Sequence, residues 1–325
     1  MSRSRTFANA TAFAVAAALY TSGAHCQGLS DRSITIVVPY TAGTGIDIVA
    51  RVIGEELRER WKQSVVVENR PGASGNIGTQ FAATRAPDGH TLLMIANTFV
   101  TNVSLFKSIP YDPQKSFAPI LEVATGALAL AVHPSVPAQT VPELIKQASA
   151  SSPTFNYASP GRGTPQHLAM ELFKQTAKVD LTHVPYSGSA GAVRDLVGGH
   201  VNAMFIPLHT VLPLANGKQV RILAIGSPAR SRLAPDVPTL AEAGVTGFEI
   251  ELWYGLLAPA GMPQDIVSRY NQVVNEILAE PKVRDELGNQ GLIPRGGSSE
   301  QLARLIASDH ARWAKVIKDA GITAE

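Results

Sequence analysis

Short runs of β-branched residues alternate along this chain with small-residue loops and amphipathic segments. Ile34–Val38 is the first such run, and Pro39 ends it because proline lacks the N–H that a continuing strand needs. Residues 41–45 form a glycine-containing loop, and a helical pattern begins at Asp47. This order places unpaired backbone N–H groups at a helix N-terminus, where they and the helix dipole stabilise an anion. We therefore predict carboxylate or phosphate binding here, with a plain connecting turn as the alternative.

The same order of strand, loop and helix recurs, most clearly at residues 155–175. There, Thr164 is placed to cap the helix and Pro165 occupies its first position. Strands are predicted at residues 34–38, 65–67, 92–95, 128–132, 155–158, 183–186, 201–206, 220–225 and 253–258. Helices are predicted at residues 47–51, 80–85, 141–150, 168–175, 193–197, 263–278 and 299–320.

Glycine loops that open a helix in each half of the chain predict an α/β fold with two domains facing each other across a cleft. A length of 325 residues suits two such domains. We assign residues 27–125 to the first domain and residues 126–229 to the second. Residues 230–325 are predicted to cross back and add helices to the first domain.

The first 26 residues have the pattern of a secretory signal peptide. Arg3 and Arg5 precede an apolar stretch at residues 10–20, and Ala24 and Cys26 occupy the −3 and −1 positions of a cleavage site. Cys26 is the only cysteine, so the mature chain would have no thiol. We predict an exported, periplasmic protein with a cleaved signal peptide. Lipid attachment at Cys26 is the weaker alternative, because His25 is bulky where a small residue is expected.

Charge and motif content argue against several classes of function. A formal net charge of +2 and the lack of a Lys/Arg cluster predict no nucleic-acid partner. The loop at Gly43 and Gly45 has Ile48 where a dinucleotide-binding fingerprint has its third glycine. The histidines of the mature chain show no spacing typical of a metal site. We predict no cofactor, no metal and no catalytic residue, because no nucleophile, base and orienting group assemble.

Asp47 and His167 lie just inside the helices that follow the two glycine loops. A carboxylate in a first helical turn stabilises the dipole and accepts hydrogen bonds from loop N–H groups, so Asp47 is expected to organise its loop. His167 is interpreted as a capping or packing residue. Arg51 and Arg70 are expected to pair with Asp47 or Glu68.

Several segments together resemble the Bug family of periplasmic receptors, the extracytoplasmic solute-binding proteins of tripartite tricarboxylate transporters. They include VVPYTAGTGIDIVAR at residues 37–51, VENRPGASGNIG at residues 67–78, YASPGRGTPQHL at residues 157–168 and WYGLLAPAG at residues 253–261. The matching segments cover essentially the whole mature chain in the family's order.

The resemblance implies a two-lobed Venus flytrap fold that closes on a small di- or tricarboxylate, aliphatic or aromatic. It also implies that the protein passes its ligand to the membrane subunits of a transporter, and we expect the protein to be a monomer. Main-chain N–H groups of the first loop are expected to hold one carboxylate. The ligand-binding residues that it implies are Tyr40, Thr41, Gly43, Thr44, Gly45, Asp47, Ala73, Ser74, Thr98, Ser159, Gly163, Thr164, His167 and Tyr186.

Two departures from the family pattern affect the expected ligand. Thr44 stands where many members have glycine, and Asn202 stands where many have aspartate. The uncharged Asn202 argues against an amino-acid ligand, whose amino group a carboxylate would hold. Phe99, Met204 and Phe205 are candidates for lining an aromatic pocket, or for the core. Two alternative functions stay open: a periplasmic enzyme acting on a carboxylated substrate through His167 or Asp47, and a receptor that feeds a sensor.

Overall fold

The computed structural model describes residues 32–151 and 155–323, so the predicted signal peptide and Cys26 lie outside the described residues. The strands are β1 Ile34–Val38, β2 Val65–Asn69, β3 Thr91–Ala96, β4 Phe117–Val132, β5 Asn156–Ser159, β6 Thr182–Pro185, β7 Ala203–Pro207, β8 Arg221–Ile225, β9 Glu251–Pro259 and β10 Leu292–Pro294. The helices are α1 Gly45–Trp61, α2 Asn76–Ala83, α3 Thr98–Leu105, α4 Val141–Ser151, α5 Pro165–Ala177, α6 Ser189–Val197, α7 Leu208–Asn216, α8 Gln264–Ala279, α9 Pro281–Asn289 and α10 Ser299–Asp319.

The first sheet has the strand order β2-β1-β3-β9-β4, and β10 pairs with β4. β1 runs parallel to β2 and β3, whereas β9 is antiparallel to both β3 and β4. Because β1, β2 and β3 are parallel, the loops after Val38, Asn69 and Ala96 leave the sheet at one edge. The first predicted binding loop therefore lies beside the second loop and the start of α3.

The second sheet shares β4 with the first. Up to Ala127 this strand pairs with β9, and from Leu128 onward it pairs with β7 and β8. β5 is parallel to β6 and β7, so the loops after Ser159 and Pro185 lie at one edge of this sheet. The α/β class that the sequence predicts is confirmed.

Both sheets are covered by apolar side chains. The residues Leu128 to Val132 of β4 are fully buried, as are the apolar residues of β1. Met204 and Phe205 are fully buried, and Phe205 stacks on Phe248 at 5.6 Å between ring centroids. Phe99 is 3 % exposed and stacks on Tyr111, so these three candidates for a ligand pocket are core residues in this structure.

Some boundaries differ from the sequence-based predictions. The helix expected at residues 80–85 begins earlier, at Asn76, and the strand expected at 128–132 begins at Phe117. Pairing with β9 holds Pro119 and Gly126 in β4 despite their low strand propensity, with irregular register near Pro119. α3, α7, α9 and β10 were not predicted. Across the described ranges, we find no helix with the length and hydropathy needed to span a membrane.

Candidate functional site

Asp47 fixes the shape of the first glycine loop. Its carboxylate accepts hydrogen bonds from the backbone N–H of Gly43 at 2.8 Å, from Arg51 at 2.9 Å and from the Asn69 amide at 2.8 Å. Asn69 also donates to the carbonyl of Tyr40 at 3.0 Å. Burial favours a higher pKa for Asp47, but the hydrogen bonds from Arg51, Gly43 and Asn69 outweigh it and hold the pKa below its usual range. The carboxylate is thus ionised, its charge is balanced by Arg51, and its oxygens are occupied by hydrogen bonds that hold the loop.

The N-terminus of α1 is left open by its own cap residue. Thr44 has extended backbone angles, but its side chain makes no capping hydrogen bond and its hydroxyl donates instead to the Thr41 carbonyl at 2.9 Å. The first-turn N–H groups of this 17-residue helix therefore keep their capacity to bind an anion. By contrast, the Thr164 hydroxyl accepts a hydrogen bond from the His167 N–H at 3.4 Å and caps α5 as predicted.

Tyr40 joins the three loops of the first sheet. Its hydroxyl donates to the Ser74 carbonyl at 3.2 Å and is hydrogen-bonded to the Thr98 hydroxyl. Burial raises the pKa of Tyr40 to about 12, so the group stays protonated. Asn102 on α3 donates to the same Ser74 carbonyl at 2.9 Å. The structure thus brings together three predicted site residues that lie far apart in the sequence.

The second loop adopts a left-handed backbone over four consecutive residues. Gly72, Ala73, Ser74 and Gly75 have φ values of 132°, 47°, 53° and 92°. Side chains rarely tolerate this region, and Ala73 and Ser74 each store strain of roughly 1–3 kcal/mol. A Cβ on Gly75 would lie 2.9 Å from the Tyr40 hydroxyl oxygen, so glycine is needed for this approach.

The second sheet contributes a separate group of polar residues after β5. The Ser159 hydroxyl and the Nε2 of His183 are 2.7 Å apart, and the Gly163 N–H donates to Nδ1 of His167 at 3.0 Å. That bond assigns the proton of neutral His167 to Nε2. The two imidazole rings stack with centroids 4.0 Å apart.

Both histidines are neutral near pH 7. Burial lowers the pKa of His167 to about 4, aided by the charges of Arg162 and Lys174. Burial lowers the pKa of His183 to about 3, and the neighbouring His167 adds to the effect. Tyr157 packs on the same stack and donates to Glu171 at 2.5 Å. The stack therefore offers neutral hydrogen-bonding groups rather than a fixed positive charge.

Tyr186 lies beside this group but has its hydroxyl occupied. Its backbone N–H donates to the Ser159 carbonyl at 3.0 Å, and its hydroxyl donates to the Asp195 carboxylate at 2.6 Å. The ring is half-buried, so the hydroxyl would have to leave Asp195 to bind a ligand.

The two groups of loops meet at Gly163. A Cβ built on this residue would lie 2.2 Å from the Leu105 side chain, at the end of the helix that Thr98 begins. Gly163 has φ +73°, a second reason for glycine at this position. The loop after β5 thus packs directly against an element of the first sheet.

Sequence reasoning missed Tyr254 as a residue of this region. The segment WYGLLAPAG supported the family resemblance, but no role was assigned to its tyrosine. A Cβ on Gly45 would lie 2.6 Å from the Tyr254 hydroxyl oxygen, which places that hydroxyl at the first residue of α1. Within residues 32–151 and 155–323, no three His, Cys, Asp or Glu side chains are arranged to hold a metal ion.

Comparison with known proteins identifies the family. The model of the tripartite tricarboxylate transporter family receptor matches residues 49–322. The chain belongs to this receptor family.

Solved structures of similar proteins agree with this assignment. Rpa4515 of R. palustris, solved with adipate, is 36% identical, with a TM-score of 0.83 over 90% of this chain and 99% of the other. MatC of Rhodopseudomonas palustris, with bound malate, is 32% identical, with a TM-score of 0.77 over 88% and 99%. The periplasmic binding protein BugD is 31% identical, with a TM-score of 0.79 over 90% and 99%. The predicted Bug-family resemblance and two-lobed periplasmic-binding-protein fold are therefore confirmed.

Proposed function

We propose that this receptor captures a small organic di- or tricarboxylate, aliphatic or aromatic, and delivers it to the membrane subunits of a tripartite transporter. The observation that carries the proposal is the open N-terminus of α1, where the Thr44 hydroxyl turns away and Asp47 holds the loop in shape. The carboxylates bound to Rpa4515 and MatC support the same ligand class.

The proposed site includes both groups of loops. One carboxylate is held by main-chain N–H groups at the first loop, beside residues of the second loop and Thr98, and the ligand is covered by the loop after β5. The proposed ligand-binding residues are Tyr40, Thr41, Gly43, Thr44, Gly45, Asp47, Ala73, Ser74, Thr98, Ser159, Gly163, Thr164, His167 and Tyr186. Asp47 acts by bracing the loop rather than by contact with the anion.

We also propose a division into domains at residues 27–125, 126–229 and 230–325, with the last segment returning to the first domain. The change of partners along β4, from β9 to β7 and β8, supports this division. A strand shared by both sheets offers a pivot about which two lobes close on a ligand.

Neutral donors supply the anion affinity in this proposal. Arg51 is already paired with Asp47, and His167 and His183 are neutral near pH 7. A ligand held by helix N–H groups and hydroxyls leaves without the rupture of a buried ion pair, which suits a receptor that must release its cargo.

We propose that the protein is not an enzyme. The hydrogen bond between Ser159 and His183 superficially resembles a nucleophile and its base. Ser159 is, however, fully buried, and its hydroxyl proton is donated to the Gly161 carbonyl at 3.0 Å rather than to His183. Burial lowers the pKa of His183 to about 3, which makes it a weak base. The pair therefore holds the loop after β5 in place.

We also propose that the protein is exported with a cleaved signal peptide ending at Cys26, that it is periplasmic and that it is a monomer.

The test of the proposed function is a thermal-shift screen of the purified chain without residues 1–26, against adipate, malate, citrate, benzoate and their amides. A ligand at 100 times its dissociation constant stabilises the native state by about 2.7 kcal/mol. We expect a rise in Tm of about 2 °C or more with one carboxylate and none with its amide. A response to amides alone would refute carboxylate binding.

A further inference from the structure

Tyr254 is a buried tyrosine of β9 at the edge of the sheet where the first loops emerge. It pairs with Ala96, the last residue of β3, on one side and with Ala124 of β4 on the other. The residue is 5 % exposed, and its hydroxyl oxygen lies 2.6 Å from the position that a Cβ on Gly45 would occupy. The hydroxyl is therefore directed at the open N-terminus of α1.

The Tyr254 hydroxyl has no hydrogen-bonding partner among the residues that the structure describes. The other largely buried tyrosines each have one: Tyr40 bonds to Ser74 and Thr98, Tyr111 to Asn76, Tyr157 to Glu171 and Tyr270 to Gly89. The hydroxyl oxygen is not among the fully enclosed side-chain atoms that lack a partner in the described residues, so it faces open space at the N-terminus of α1, where an entering group can reach it. The hydroxyl is thus best explained by a group that enters the site.

The surroundings define the chemistry of that group. The first-turn N–H groups of α1 and the Tyr254 hydroxyl are all neutral donors, and the adjacent Arg51 is held by Asp47. Burial raises the pKa of Tyr254, so the hydroxyl keeps its proton and stays a donor. Neutral N–H and O–H donors at the positive end of a helix dipole suit a carboxylate oxygen.

We propose that Tyr254 is a specificity-determining residue whose hydroxyl donates a hydrogen bond to the ligand carboxylate held at the N-terminus of α1. This inference rests on the proposed function and adds a residue to its site. Gly45 is required by the same arrangement, because a methyl group there would displace the hydroxyl. Gly45 has helical backbone angles, so its replacement by alanine tests this contact and not backbone strain.

Tyr270 provides a matched control. It is buried like Tyr254 but lies against Trp61 at the other end of α1, and its hydroxyl donates to the Gly89 carbonyl at 2.6 Å. In the ligand-free chain, we expect Y270F to lower Tm and Y254F to leave Tm unchanged or raise it. A fall in Tm for Y254F equal to that for Y270F would overturn the inference, because it would reveal an internal partner.

Isothermal titration with adipate, malate and citrate provides the second measurement. For whichever probe binds the wild type, we expect Y254F to weaken binding about 10- to 100-fold, as for a lost hydrogen bond to a charged group, and Y270F to change it less than about 2-fold. As a single substitution, G45A should weaken binding strongly. Added to Y254F, it should weaken binding far less. Equal dissociation constants for wild type and Y254F would overturn the role of Tyr254 and leave the proposed function intact. Failure of the wild type to bind these three acids or any other carboxylate of the thermal-shift screen would refute the proposed function and this inference together.

Discussion

At the scale of single residues, the first loop depends on one buried carboxylate. Asp47 is 2 % exposed and accepts hydrogen bonds from Gly43, Arg51 and Asn69, which come from the loop, the next helical turn and β2. A loop shaped to expose its N–H groups to an anion cannot also satisfy them internally. Asp47 resolves this conflict by fixing the loop through a single N–H, that of Gly43.

We expect Asp47→Asn to destabilise the protein by about 1.5–3 kcal/mol, because hydrogen bonds to a charged, buried acceptor are lost and an amide N–H faces other donors. Carboxylate binding should weaken at the same time, because the loop loses its brace. Chemical denaturation gives the free energy of unfolding, and titration gives the affinity.

Glu55→Gln is the control for this variant. Glu55 pairs with Arg58 on the same helix, but both side chains are more than half exposed, so we expect little change in the free energy of unfolding. Equal losses for the two variants would show that Asp47 is only another surface ion pair.

Residue-scale features were predictable from sequence where they are local. Asp47 and Arg51 are four residues apart on a helix, and Thr164 directly precedes Pro165, so spacing alone indicates the ion pair and the cap. Tyr254 approaches Gly45 only because β9 inserts between β3 and β4. No local pattern encodes that contact, and it was missed for this reason.

At the scale of elements, the loop before α5 and the end of α3 form a direct contact. Gly163 lies against Leu105 so closely that a methyl group on the glycine would overlap the leucine side chain. If ligand binding requires this contact between the two groups of loops, any side chain at residue 163 should push them apart.

We expect Gly163→Ala to weaken carboxylate binding more than about 10-fold and to increase the radius of gyration in small-angle scattering. The second substitution Leu105→Ala should restore most of the affinity, because it removes the overlapping atoms. Gly244→Ala is the matched control, since Gly244 also has positive φ, +93°, but has open space around it. Wild-type affinity for Gly163→Ala would contradict the role of this contact.

Elements with strong periodicity or clear caps were predicted, and those held by tertiary contacts were not. α8 and α10 follow from their amphipathic patterns, and α10 begins at a capping box formed by Ser298 and Gln301. α3 has the sequence TFVTNVSL, rich in β-branched residues, and its buried residues Phe99 and Val100 show that packing stabilises it. β10 is only three residues long and exists through its pairing with β4.

At the scale of the whole molecule, the paired histidines make stability depend on pH. His167 and His183 are held neutral in the folded protein, with pKa values lowered by burial to about 4 and about 3. In the unfolded chain they titrate near the ordinary value of 6.5. Between these values the unfolded state binds more protons, so the free energy of unfolding rises with pH and falls on acidification.

The last prediction isolates one of these groups. In His183→Gln, the amide can still hydrogen-bond to Ser159 but does not take up a proton. From about pH 6.5 down to about pH 4, we expect the variant's free energy of unfolding to fall less steeply than that of the wild type. The two slopes should differ by up to ~1.4 kcal/mol per pH unit. Urea denaturation at half-unit pH intervals measures this difference. Above pH 7 the two curves should run parallel, because His183 is neutral in both states there. Parallel curves over the acidic range as well would mean that His183 takes up its proton in the folded protein, and that the stack against His167 does not exclude charge.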